Sequence, residues 1–170
     1  MKKIKTSLFA LLMLSAVSAT LFSGCKKDKE EETVTPTPAP APTKTELLTG
    51  KNWKVTAINC DPAIDWNGNG VMVTNIYAQL SPCGVDDITV FNTSGSYVLD
   101  AKVQCATEPA TTTGTWIFNS AQTVITMDAG TANSTDFTIL QLDASTLKGT
   151  QPMDLGTGVI YTLTVTYSKQ

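Results

Sequence analysis

The 170-residue sequence contains no histidine, and its cations are all lysine, with no arginine. Without histidine the chain lacks the commonest general base and metal ligand. Without arginine, and with acids outnumbering lysines after residue 44, it has no basic patch to neutralise phosphates, which argues against nucleic acid as a partner. It also lacks an apolar run long enough to span a bilayer. The run from Leu8 to Phe22 is about 15 residues, where a spanning helix needs roughly 20. Asp, Glu, Ser and Lys are left for catalysis. Asp86 and Asp87, the adjacent carboxylates, are expected to face opposite ways on a strand and so to be poor acid–base partners. The chain is therefore expected not to be an enzyme.

What is present begins at the N-terminus. Lys2, Lys3 and Lys5 precede the short apolar run, which ends in Leu21-Phe22-Ser23-Gly24-Cys25. A basic start, a short apolar segment and small residues before a cleavage point make a removed signal peptide, and Cys25 makes the site a lipobox. Residues 1–24 are thus expected to be cleaved, and the Cys25 thiol to carry a diacylglycerol, with a further acyl chain on the new amine. At about 0.8 kcal/mol per buried CH₂, several chains hold a protein to a membrane far better than one. The partner implied is the membrane, through the acyl chains on Cys25.

Residues 25–44 read as a tether. Lys26-Lys27-Asp28-Lys29-Glu30-Glu31-Glu32 has balanced charge and little hydrophobicity, and so should not fold alone. It resembles the Lys-Asp/Glu signal that sends some bacterial lipoproteins to the outer face of the outer membrane; the other reading is a solvated spacer. Thr33 to Thr43 carries Pro36, Pro38, Pro40 and Pro42, which excludes helix and central strand and gives a semi-rigid spacer. The expected location is the outer membrane, with the remaining domain exposed at the cell surface.

Residues 45–170 are one domain of ordinary size. They are rich in Thr, Val, Ile and aromatics, with turn signals at regular spacing, the pattern of an all-β sandwich or barrel. Eight strand candidates stand out: 51–60, 86–92, 96–103, 112–119, 122–128, 135–143, 146–152 and 159–168. The last alternates Tyr161, Leu163, Val165 and Tyr167 with threonines, so one face is apolar. Short connections favour an eight-stranded antiparallel up-and-down barrel or half-barrel, and closure removes exposed edges. Thr45–Gly50 reads as a short helical turn before the first strand, and Thr74–Leu80 as another short helix.

With Cys25 lipidated, Cys60, Cys83 and Cys105 remain, in an envelope that permits disulfides. Asn92-Thr93-Ser94-Gly95-Ser96 fits a three-residue hairpin loop with Gly at the left-handed position. Centring the turn on Ser94 pairs Phe91 with Tyr97, Thr89 with Leu99 and, by extension, Cys83 with Cys105. A Cys83–Cys105 disulfide is expected, leaving Cys60 as a buried free thiol; the rival pairing is Cys60 with Cys83. Asp65-Trp66-Asn67-Gly68-Asn69-Gly70 begins like an EF-hand loop. Asp65, Asn67, Asn69 and the carbonyl of Val71 could hold a structural Ca²⁺, although the closing acid is missing. The alternative is a turn whose side chains bond their own backbone.

Leu48, Gly50 and Trp53, the Asp65–Gly70 loop, Cys83 with Asp86-Asp87, the Phe91…Gly95…Tyr97 hairpin, Cys105 and Gly114-Thr115-Trp116 together resemble the bacterial lipocalin-like domain lipoproteins, small lipoproteins of the outer membrane. The resemblance covers most of residues 46–167. Gly50 and Trp53 are separated by two residues, whereas true lipocalins carry Gly-x-Trp, so the ligand preferences of that wider group transfer poorly. The resemblance implies the barrel and a non-catalytic role, binding a small apolar ligand or another envelope protein. Trp53 and Trp116 are expected to plug the barrel base rather than touch a ligand. No ligand-binding residue is identified by the sequence.

Overall fold

A computed structural model of the chain describes residues 39–105 and 109–170. Folding into regular structure starts at α1 (Lys44–Leu48), a single helical turn held by a capping box. Thr43 Oγ1 accepts from the Glu46 N–H at 3.2 Å, and the Thr43 N–H donates to Glu46 Oε2 at 2.7 Å. This reciprocal cap satisfies donors that so short a helix would otherwise leave open. It also moves the turn one residue earlier than expected. Among the described residues no helix is long and apolar enough to cross a membrane.

The strands that follow are β1 (Trp53–Ile64), β2 (Val73–Asn75), β3 (Ile88–Phe91), β4 (Ser96–Asp100), β5 (Thr111–Phe118), β6 (Val124–Met127), β7 (Thr135–Leu142), β8 (Thr146–Asp154) and β9 (Ile160–Lys169). From β3 to β9 each strand pairs with the next, and β1 pairs with both β3 and β9. The sheet therefore closes into an eight-stranded antiparallel up-and-down barrel with β2 as an extra strand. It is a full barrel, not a half-barrel.

β1 does two jobs. One edge runs along β9, from Trp53 opposite Lys169 to Asp61 opposite Thr162. On the other edge Trp53 and Lys54 meet β3, while Asn59 and Ile64 meet β2. The strand thus continues past Cys60, where the sequence led us to end it, through Pro62 to Ile64. Proline cannot donate to a ladder, but the β1–β2 register shifts between Asn59 and Ile64, so the missing N–H breaks no regular pairing. The helix expected over 74–80 is reduced to a 3₁₀ turn at Tyr77–Gln79, preceded by β2.

The two ends of the barrel differ. At the closed end α1 packs beside the tight turns that follow β3, β5 and β7. Leu48 and Trp53 are 0% exposed, and the Trp53 indole N–H donates to the Leu48 carbonyl at 2.8 Å. Phe91 and Trp116 meet edge-on at 5.8 Å, and Trp116 is also buried. Bonding the indole N–H lets these large rings be buried without an unpaired donor, so both tryptophans plug the barrel as expected. At the open end the longer connections after β1, β4, β6 and β8 gather. There Cys60, Ile64 and Ile76 form a second, smaller core packed by Val73, Leu80 and Tyr161.

Within the barrel, β9 alternates as its sequence pattern requires: Val165 is buried while Leu163 and Tyr167 pack against the main core. Gly149 on β8 is a place where only glycine fits. A Cβ there would lie 2.4 Å from Phe137 Cε1 and 2.4 Å from the Thr138 carbonyl, so the Phe137 ring lies over the bare backbone.

Candidate ligand-binding cavity

The β3–β4 hairpin sets one wall of the interior. Its three-residue loop places Gly95 at φ +83°, and Asn92 N–H donates to Ser96 O at 2.8 Å. Phe91 then pairs with Tyr97 and Thr89 with Leu99, as the turn geometry predicts. Thr89, Tyr97 and Leu99 all point to the interior side. Tyr97 sits opposite Gly114 on β5. A Cβ on Gly114 would fall 2.5 Å from Tyr97 Cε1 and 2.3 Å from Asp128 Oδ1, so the glycine makes room for both.

Asp128 follows β6 with φ +51°, a left-handed conformation that Asp tolerates better than most residues. From there its Oδ2 accepts from the Tyr97 hydroxyl at 2.8 Å, and its Oδ1 accepts from the Thr115 N–H at 2.9 Å. The carboxylate is thus fixed from two strands. Burial pushes the Tyr97 hydroxyl up to about 12, and the hydrogen bond and charge of Asp128 add to the shift. Across the barrel, Tyr167 packs edge-on to Phe137 at 6.1 Å. Burial alone pushes its hydroxyl up to about 12. The residue is half-buried and borders a hollow that opens to solvent.

That hollow is a cavity of about 300 Å³ on the open-end side of the barrel. Leu99 and Met127 give it an apolar surface. Thr89, Gln151, Tyr97 and Tyr167 give it polar groups, and Asp128 is its one charged lining residue. Asn133 and Thr135, from the β6–β7 connection and the start of β7, stand at its margin. The volume lies at the lower end of the range for small-molecule sites. A wider groove of about 680 Å³ runs over the closed end, past Thr93–Gly95 and Asn119–Ser120. It is open to solvent and lined by turn residues together with Thr45 and Trp116–Phe118.

The residues singled out by sequence fall elsewhere. Cys83 and Cys105 form the expected disulfide, with Cα atoms 5.4 Å apart. They are not opposed within the ladder, however. β3 begins only at Ile88 and β4 ends at Asp100, so Cys83 lies in a 3₁₀ turn (Pro82–Gly84) and Cys105 in the loop after β4. The rival Cys60–Cys83 pairing is excluded by this bond. Cys60 is a buried free thiol beside Val73 O at 3.6 Å, and burial, followed by the nearby Asp61 charge, raises its pKa. Asp86 and Asp87 precede β3 rather than lie in it, because the segment between the disulfide and Ile88 is drawn into turns.

Asp65 accepts from the Asn69 and Gly70 N–H groups at 2.9 and 2.8 Å, and Asn69 Oδ1 accepts from the Val71 N–H at 2.9 Å. The Asn67 amide donates to Gln79 Oε1 at 2.9 Å. These are the bonds of a turn that ties its own backbone. Among the described residues no three His, Cys, Asp or Glu side chains gather in a metal-binding group. Cys25, the signal segment and the charged run lie outside the described residues.

The sequence marked Thr89, Tyr97, Leu99 and Tyr167 by register and alternation, but none of the cavity-lining residues as a ligand contact. They come from six strands and a loop, and the only local hint was Gly114 beside Trp116.

Residues 48–149, more than half of the chain, match the family model of a lipocalin-like domain. No curated protein sequence matches. Among solved structures, the chain is similar to a bovine odorant-binding protein in complex with a selenium-containing odorant, at 16% identity and a TM-score of 0.46, covering 79% of this chain and 78% of that one. It is similar also to the bovine odorant-binding protein in complex with undecanal, at 14% identity and a TM-score of 0.46, covering 79% and 77%. At those values the likeness bears on neither ligand nor activity.

Proposed function

We propose, for a chain that belongs to the lipocalin-like domain family, that it is a non-catalytic lipoprotein whose barrel binds one small, largely apolar molecule. The observation that carries this reading is the cavity of about 300 Å³ inside the barrel. An eight-stranded barrel is just wide enough to be filled by side chains or to hold one small ligand. Here it is filled at the closed end and hollow toward the open one.

A lipidated Cys25 would hold this domain to the outer membrane, at the cell surface, through the tether of residues 25–44. A second reading, an accessory module of an outer-membrane assembly, is favoured by one feature. Trp66, Met72, Val103, Leu155, Val159 and Ile160 are exposed, all on connections or strand starts at the open end. Apolar side chains gathered at one end mark interaction sites more often than scattered ones do.

Native mass spectrometry of the full chain purified from its own membrane tests both readings. A retained small molecule that is lost in Leu99→Trp, which fills the cavity, is the expected result. A stoichiometric protein partner with no small-molecule adduct would favour the second reading over the first.

A further inference from the structure

We infer that the cavity selects a small organic cation: a primary ammonium on a compact apolar body, its N–H groups donating to the Asp128 carboxylate. This rests on the reading of the cavity as a ligand site and adds the chemical class of the ligand. Asp128 is the one charged residue lining the cavity. Its oxygens already accept from the Tyr97 hydroxyl at 2.8 Å and the Thr115 N–H at 2.9 Å. An ionised carboxylate has about four lone-pair sites, so about two remain for a ligand. Because those two bonds hold it in place, the acceptor is preorganised and little ordering is required on binding.

No lysine lines the cavity, and the ion pair found among the described residues, Lys102–Asp100, lies outside it. No protein cation therefore competes with a ligand for the half-buried Asp128 carboxylate. Tyr167 supplies a second polar point: it is half-buried, borders the cavity, and its hydroxyl makes no hydrogen bond to the described residues. The rings of Tyr97 and Tyr167 border the same space, and aromatic rings attract cations. Leu99 and Met127 receive the apolar body. A carboxylate ligand would meet repulsion from Asp128, and a neutral alcohol could donate one hydrogen bond to it but would forgo the ion pair.

Isothermal titration of the full chain at pH 7 with 2-phenylethylamine, 2-phenylethanol and phenylacetate compares three charges on one body. The amine is expected to bind at least about tenfold tighter than the alcohol, with the carboxylate weakest. Asp128→Asn keeps the side-chain shape and tolerates the positive φ. It should bring the amine down to the alcohol's affinity, with a smaller loss for the alcohol, whose bond passes to a neutral acceptor. Tyr167→Phe should weaken amine and alcohol alike. Equal or tighter binding of the alcohol or carboxylate by the unmodified chain overturns the proposal, whether or not the Asn variant folds. An amine preference that survives in a folded Asp128→Asn overturns it too. Failure of all three compounds to bind removes the ligand-site reading itself, and the cation preference with it.

Discussion

The closed and open ends of this barrel are made from the same strands and use them in opposite ways. At the closed end Leu48, Trp53, Phe91 and Trp116 fill the interior and α1 covers it. At the open end the connections lengthen, the covalent Cys83–Cys105 link takes over from the ladder, and the interior keeps a cavity with a fixed carboxylate. Filling one end with aromatics gives that end the packing that stabilises the fold. The other end is thereby free to leave space unfilled and a charge unmatched, both of which weaken a core and both of which a ligand site requires.

Breaking the closed end should have the largest effect. Trp53→Ala removes a fully buried ring and the bond to Leu48 O. It should destabilise by about 3–5 kcal/mol, measured by urea unfolding. A loss below about 1 kcal/mol would mean the plug is not where stability resides.

Gly114→Ala probes the boundary between the ends. Its Cβ would collide with Tyr97 and Asp128, at a cost of about 1–3 kcal/mol. Unlike Trp53→Ala, it should also weaken ligand binding in protein that remains folded. Unchanged affinity in a folded Gly114→Ala protein would uncouple Asp128 from the site.

Alkaline pH sharpens the contrast at smaller scale. Tyr97 and Tyr167 have hydroxyls raised to about 12 in the fold, against about 10 in an unfolded chain. The folded state therefore holds these protons more tightly. Their contribution is fully present below about pH 10 and is lost as pH rises toward 12. Ultraviolet titration should show Tyr97 and Tyr167 ionising late, and Tyr167→Phe should remove one of the late pair. Ionisation of both near pH 10 would show that the cavity wall does not shield them from water.

Calcium should have the smallest effect. If Asp65, Asn67, Asn69 and the Val71 carbonyl hold the ion, millimolar Ca²⁺ should raise the melting temperature relative to chelator by about 2 °C. Coincident melting curves would leave the loop as the self-bonded turn that its hydrogen bonds describe.

How legible each region was follows from how local its determinants are. The β3–β4 register could be read because one glycine fixes the turn, and the turn fixes every pair beyond it as far as Thr89 opposite Leu99. The eight barrel strands could be read from alternation and turn spacing, β9 most clearly. β2 could not: three residues carry no period, and its partner lies across a glycine-rich loop. The end of β1 was obscured by Pro62, whose missing N–H matters only where a ladder is regular. The cavity could not be read at all. The hairpin register joins only Thr89 and Leu99; Met127, Gln151 and Tyr167 are remote in sequence, and closure of the barrel brings them to the same space as Asp128.

Hydrogen exchange of the full chain, resolved by amide and measured with and without 2-phenylethylamine, tests the division between the ends most directly. Slow exchange is expected at Trp53, Phe91 and Trp116 in both conditions, with added protection confined to the strands bearing Leu99, Met127, Gln151 and Tyr167. Protection gained at the closed end, with none around the cavity, would contradict it.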